Sequence, residues 1–368
     1  MKRDLFVFAG QSNMMGASVY PPKKTLSIRD SYEYKHKPKR LGEAEGRFTL
    51  VSYPVGEFSY ADLDLAYRAE MTNARGESFL HDYAKNTFFC PAMSNMKSDT
   101  EKSLYTFPSF SEATAQNGVT LAPFLAEKWE ELGNRCAFAH IAKGGVSIDY
   151  FMTDDMIAEY ALRLDRYNQK YGTSYDATVP EDHRKSGAPE YFLEKCKDFF
   201  ADAEKHFEGD DLSNRCFFWL QGESDTKRSA TEYEIKLSIL WEQLKAIGFT
   251  HFFCIRVDYF NTDNIYRVMQ AQENFVSHHE DAYMLTRIAS YFTHSEQNED
   301  EWFLSPPTDE CRNCRDSFYG YPNQHINEKG FLTIAERAVK NLEHVLIHGN
   351  SPILEEENIR LLVEEERK

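Results

Sequence analysis

Phe6-Val7-Phe8-Ala9-Gly10-Gln11-Ser12-Asn13-Met14-Met15-Gly16 is the stretch on which the reading of this chain turns. An apolar, β-favouring run drops straight into Gly-Gln-Ser-Asn, as a buried strand does when it ends in a tight turn. Gly10 and Gly16 remove a Cβ where the backbone must turn or be approached closely. Ser12 then sits at the C-terminal end of a central strand, where open α/β sheets bind ligands. It is the candidate nucleophile, and Asn13 beside it is a candidate substrate-binding or orienting residue. The same stretch also reads as an ordinary strand–turn–helix in which Ser12 or Asn13 is a cap.

Four more β-rich runs follow, Cys136–Ala142, Cys216–Leu220, His251–Val257 and Ala282–Ile288, each bounded by turn or polar residues. Helical periodicity lies between most of them, over Val119–Leu132, Pro189–Phe207, Thr231–Ile247 and Asn264–His279, and again over Glu328–His348. Strands alternating with helices predict one doubly wound α/β domain over residues 1–349. Residues from about 18 to 118 and from 150 to 188 carry few periodic runs and many polar and aromatic residues. They are expected as insertions that wall the C-terminal edge of the sheet. Residues 350–368 read as an acidic amphipathic helix, including Ile353, Leu354, Ile359, Leu362 and Val363, that docks on its own domain or on a second copy in a homo-oligomer.

The 368 residues are 42% hydrophobic, enough for a sizeable core, and a share of the 27 Phe and 21 Tyr is expected to line a cleft. A net charge of −17 argues against nucleic acid or an anionic membrane as partner, since both need a positive field. No leader or membrane span is visible, which predicts a cytoplasmic protein. The seven cysteines are scattered and mostly in apolar surroundings, which predicts reduced thiols. Cys311-Arg312-Asn313-Cys314 has no second pair, so no metal or other cofactor is expected.

Three later segments could carry chemistry beside Ser12. In Ile141-Ala142-Lys143-Gly144-Gly145-Val146-Ser147-Ile148-Asp149, paired glycines after a strand suit a backbone N–H of an oxyanion hole. In Trp219-Leu220-Gln221-Gly222-Glu223-Ser224-Asp225, Gln221 offers a further donor, and Glu223 and Asp225 either orient partners or pair with Lys227 and Arg228. In Tyr321-Pro322-Asn323-Gln324-His325-Ile326-Asn327-Glu328-Lys329-Gly330, His325 precedes the last helix and can serve as general base and then general acid.

Together these segments resemble the blocks of the SGNH/GDSL hydrolase superfamily, and more narrowly its sialate O-acetylesterase-like branch with carbohydrate esterase family six. Gly10–Met14 matches that branch's nucleophile block, Gly144–Ile148 resembles its Gly-Gly block, Trp219–Asp225 its Gln-Gly-Glu block and His325–Gly330 its terminal His block. The resemblance implies a flavodoxin-like three-layer α/β/α sandwich with a five-stranded parallel sheet, and no cofactor. It implies Ser12 as nucleophile and His325 as base, with the Ser12 N–H, the Gly145 N–H and the Gln221 side chain as oxyanion donors. The implied substrate is an acetylated mono- or oligosaccharide. Two departures stand out. Pro322 occupies the place of the family's Asp three residues before the His, leaving Glu223, Asp316 or a backbone carbonyl to orient His325. Val146 replaces a hydroxyl residue. Acetyl transfer to another sugar, or a binding module on an inactive esterase scaffold, are the alternative readings.

Overall fold

Every residue of the first strand, β1 (Asp4–Gly10), is buried. In the computed structural model, which describes residues 1–15, 28–36, 46–50, 120–142, 145–179, 189–257, 264–292, 326 and 328–354, this strand lies at the centre of the sheet. A single helical turn, α1 (Ser12–Met15), follows it, then a hairpin of β2 (Tyr32–His36) and β3 (Gly46–Leu50). Next come α2 (Leu121–Glu131), β4 (Cys136–Ala142), α3 (Asp154–Tyr171), α4 (Pro189–His206) and β5 (Arg215–Leu220). The remaining elements are α5 (Ala230–Ala246), β6 (His251–Ile255), α6 (Ile265–His278), β7 (Ala282–Thr286), α7 (Ile288–Phe292) and α8 (Glu328–Leu346).

The strand order is β3-β2-β4-β1-β5-β6-β7. The five strands read from the sequence all form, and they alone follow the order 2-1-3-4-5 of a flavodoxin-like sheet. The sheet is nevertheless larger than the five strands expected: it has seven. β2 adds a sixth parallel strand beside β4, and β3 closes that edge antiparallel to β2. Tyr32-Glu33-Tyr34-Lys35-His36 is too short and too charged to stand out as an apolar run. It pairs because Glu33 and Tyr34 are buried beside β4.

Both faces of β1 are covered, which is why its sequence does not alternate. Leu5, Val7 and Ala9 share one core with residues of α3, α4, α5 and α6. Phe6 and Phe8 belong to the other, with residues of α2 and α8. Winding from β1 to β4 runs one way across the sheet and the later crossovers run the other. Right-handed crossovers then put their helices on opposite faces. Much of the aromatic content is core. Phe138, Phe8, Phe218, Phe253 and Tyr283 form a ladder across adjacent strands, with centroid separations of 5.7, 4.6, 5.3 and 5.7 Å. Such ring pairs add to the area they bury.

The described part of the stretch from 150 to 188, which ends at residue 179, is more regular than expected. Most of its described part is α3, which starts on a Thr153 cap and buries Met156, Tyr160 and Leu164 at four-residue spacing. Of the expected tail helix, the described part to Leu354 is not helical, and the Ile353 N–H donates to Asn341 Oδ1 at 2.7 Å. Residues 355–368, most of 18–118, and Cys311 and Cys314 lie outside the described residues. The described cysteines 136, 196, 216 and 254 are buried and unpaired, and burial pushes their thiols up. No described helix is long and apolar enough to cross a membrane.

Candidate active site

Gly10 ends β1 opposite Leu220, the last residue of β5. A Cβ on Gly10 would come within 1.9 Å of the Leu220 carbonyl oxygen, so only glycine lets the two strand ends meet. The Gln11 N–H donates to that same oxygen at 3.2 Å. The chain then turns into α1, which leaves Ser12 half-buried at the C-terminal edge of the sheet.

The loops after β1, β4 and β5 are joined there by side-chain amides. Gln221 is fully buried, and its Nε2 lies 3.2 Å from Gln11 Oε1, 3.1 Å from Val146 O and 2.6 Å from Asp225 Oδ2. Its Oε1 accepts from the Tyr233 hydroxyl at 2.7 Å. This orientation is the only workable one, because Asp225 and Val146 offer nothing but acceptors. Gln11 Oε1 also accepts from the Ser224 N–H at 3.2 Å. The two glutamines therefore bind the Ser12 turn to both neighbouring loops. Gly145 has φ +71, a left-handed conformation that favours glycine, and no described residue occupies the space where a Cβ would stand. Gly144 lies outside the described residues.

Asn13 makes the fourth connection. It is fully buried, its Nδ2 donates to Glu223 Oε1 at 3.1 Å, and its Oδ1 accepts from the Ile326 N–H at 3.1 Å. That nitrogen belongs to the peptide bond joining Ile326 to His325. His325, Pro322 and Asp316 themselves lie outside the described residues.

No family model matches this chain. No curated protein matches it in sequence either. Among solved structures it is similar to a carbohydrate acetylesterase from Xanthomonas citri, with a TM-score of 0.42 and 12% identity over 94% of this chain and 57% of that one. This chain therefore spans little more than half the length of that protein. It is also similar to a protein from Arabidopsis thaliana (TM-score 0.43, 10% identity, 93% of this chain and 99% of that one) and to NanS (TM-score 0.44, 11% identity, 92% and 96%).

Beneath the loops lies a charged cluster that sequence reading did not find. Asp149, fully buried, accepts from both Arg228 and Lys236, and Lys236 is itself fully buried with its ammonium 4.3 Å from the centre of the Tyr160 ring. Arg228 Nε also donates to Asp225 Oδ1 at 2.7 Å, and the Ile148 N–H donates to Asp225 Oδ2 at 2.9 Å. The cluster thereby fixes the loop after β4 to the loop after β5. Of the two pairings expected near Lys227 and Arg228, Asp225 makes one and Glu223 instead turns to Asn13. Burial raises the Asp225 pKa against the pull of Arg228, and burial lowers that of Lys236 against the pull of Asp149.

His140, on β4, supports α1 from below. Its Nε2 lies 2.7 Å from the Met14 carbonyl oxygen, which can only accept, so Nε2 carries the proton. Burial pushes its pKa down to about 4 and keeps the ring neutral at ordinary pH.

Glu223 is a strongly perturbed carboxyl. Burial pushes its pKa up to about 7, Asp225 adds to the rise, and the Asn13 bond and nearby backbone N–H groups oppose it. Its Oε2 is buried with no hydrogen-bond partner among the described residues. A pKa above the unfolded value contributes stability below about 4.5, and that contribution is lost as pH rises through about 7. Glu223→Gln removes this titration. The variant is expected to be more stable than the native chain at pH 8 by up to roughly 3 kcal/mol, and level with it near pH 4.5, in thermal melts across that range.

Proposed function

We propose that the chain is a serine esterase that removes O-acetyl groups from a carbohydrate through an acetyl-serine intermediate. The observation that carries this reading is the convergence of three distant segments on one turn. Gln11, Asn13, Val146, Gln221, Glu223, Ser224 and the Ile326 amide are hydrogen-bonded around Ser12 at the strand ends. Open α/β sheets bind ligands at that edge. The carbohydrate as substrate class rests on the resemblance of these segments to the blocks of the sialate O-acetylesterase-like branch.

In this mechanism Ser12 Oγ attacks the acetyl carbonyl carbon while His325 takes its proton. The N–H groups of Ser12 and Gly145 receive the developing oxyanion. Gln221 joins them only if one of its amide hydrogens leaves Gln11, Val146 or Asp225, since those three acceptors already share two hydrogens. His325 then protonates the leaving sugar oxygen. Water, deprotonated by the same imidazole, cleaves the acetyl-serine and releases acetate. Glu223 or Asp316 orients His325. Loss of that orienting group, in Glu223→Gln or Asp316→Asn, is expected to lower kcat by about tenfold or more.

The reading is tested with p-nitrophenyl acetate and a panel of acetylated sugars. His325→Ala is expected to be slower than the native chain on every substrate cleaved. Equal rates would remove the histidine from the mechanism. Cleavage of the nitrophenyl ester with no acetate released from any sugar would overturn the substrate class.

A further inference from the structure

We infer that Asn13 is a positioning residue that locks the segment carrying His325 to the serine turn, donating to Glu223 through one end of its amide and accepting from Ile326 through the other. The inference rests on the esterase reading for the roles of Ser12 and His325. The bonds themselves do not depend on it.

Both ends of the amide are committed in opposite senses, at 3.1 Å to Glu223 Oε1 and 3.1 Å from the Ile326 N–H. A flipped amide would set its oxygen against a carboxyl and its hydrogens against an N–H. Aspartate supplies no hydrogen when ionised, serine is too short to span both partners, and leucine would leave a buried N–H and a buried carboxyl unmatched. Capping does not account for the residue, because α1 is one turn of four residues. What the bonds do fix is the Ile326 N–H, one residue after His325 in sequence, held to the residue next to Ser12. Misplacing a catalytic group by about 1 Å costs on the order of 10²-fold in rate. The titratable groups that bear on Glu223 among the described residues are Asp225 on its own turn and Tyr233 on α5.

The test exchanges donor and acceptor in the full chain, with p-nitrophenyl acetate as probe. Asn13→Asp keeps the acceptor for Ile326 but sets two carboxyls together. It is expected to lower kcat by about 10²-fold at pH 8, with KM within about twofold of native. Two carboxyls in contact share one proton as pH falls, and the shared proton restores the missing donor. The rate of Asn13→Asp relative to native at the same pH should therefore rise about tenfold between pH 8 and pH 5.5. Combining Asn13→Asp with Glu223→Gln puts an amide donor opposite a carboxylate acceptor. That double variant should come within about threefold of Glu223→Gln alone.

Asn13→Asp within about threefold of native at every pH would overturn the inference, as would a double variant no faster than Asn13→Asp. If Asn13→Asp does not fold at pH 8, the double variant carries the test. Folded with the kcat of Glu223→Gln, it upholds the lock; unfolded, it overturns it. Ser12→Ala separates the two readings. If it matches native, the esterase reading fails and thermal unfolding decides the lock. A melting temperature lost in Asn13→Asp and regained in the double variant upholds it, and one not regained overturns it.

Discussion

Ser12→Ala is expected to lower acetate release from p-nitrophenyl acetate by at least about 10³-fold, while the variant melts within about 2 °C of native. The rate effect is large because, in the proposed mechanism, the hydroxyl is the bond-forming atom, and its removal leaves only binding and the proposed oxyanion donors to act on adventitious water. The stability effect is small because Ser12 is half-buried and its turn is held by its neighbours, Gln11 and Asn13. A rapid burst of nitrophenolate before steady turnover, present in native and absent in Ser12→Ala, would report the acetyl-serine directly. Equal rates in native and variant would end the nucleophile assignment. A collapse in melting temperature would instead make the rate uninformative, and the burst would then be sought at low temperature.

Lys236→Met carries the other large expectation, in stability. Lys236 and Asp149 are both fully buried, and breaking such a pair from one side costs about 3–5 kcal/mol. The melting temperature should fall by on the order of 10 °C. Most of the loss comes from the buried Asp149 losing a buried cation, with Arg228 still shared between it and Asp225. Removing the stranded charge as well, in Lys236→Met with Asp149→Leu, should therefore recover much of the stability. It should not recover the rate, because Asp149 and Arg228 link the loop bearing Gly145 to the loop bearing Gln221. If the single variant melts as native, the cluster contributes nothing net and the two loops are held by the glutamines.

The strands and helices that sequence could reveal were those with long apolar signals. β1, β4, β5, β6 and β7 are near-continuous runs, and α8 repeats an apolar face over nineteen residues. α3 escaped notice although Thr153-Asp154-Asp155 is a helix start and Met156, Tyr160 and Leu164 recur every four residues. Its buried stripe is one residue wide, and charges dominate the remainder. At the site, Ser12, Gly145, Gln221 and Glu223 were visible because each follows a strand. The pairings among them were not. The bond between Gln11 and Gln221 spans two loops far apart in sequence, and Lys236 belongs to the charged cluster from the middle of a helix. Nothing local encodes such pairings. They exist because parallel neighbours bring strand ends side by side.

The central place of β1 bears on how the chain is made. Its first residues leave the ribosome before any partner exists, since Asp4 pairs with Cys136 and Leu5 with Arg215. At ordinary rates of synthesis the nearer partner follows only after roughly 10 s or more. During that time Phe6-Val7-Phe8-Ala9 is an unpaired apolar strand with two open edges, a segment chaperones hold and aggregates recruit. Its later neighbour, β5, follows about 210 residues behind it, and the last covering helix, α8, more than 300 behind. A nascent chain stalled before α8 would therefore keep the face that α8 shares with α2 only partly covered.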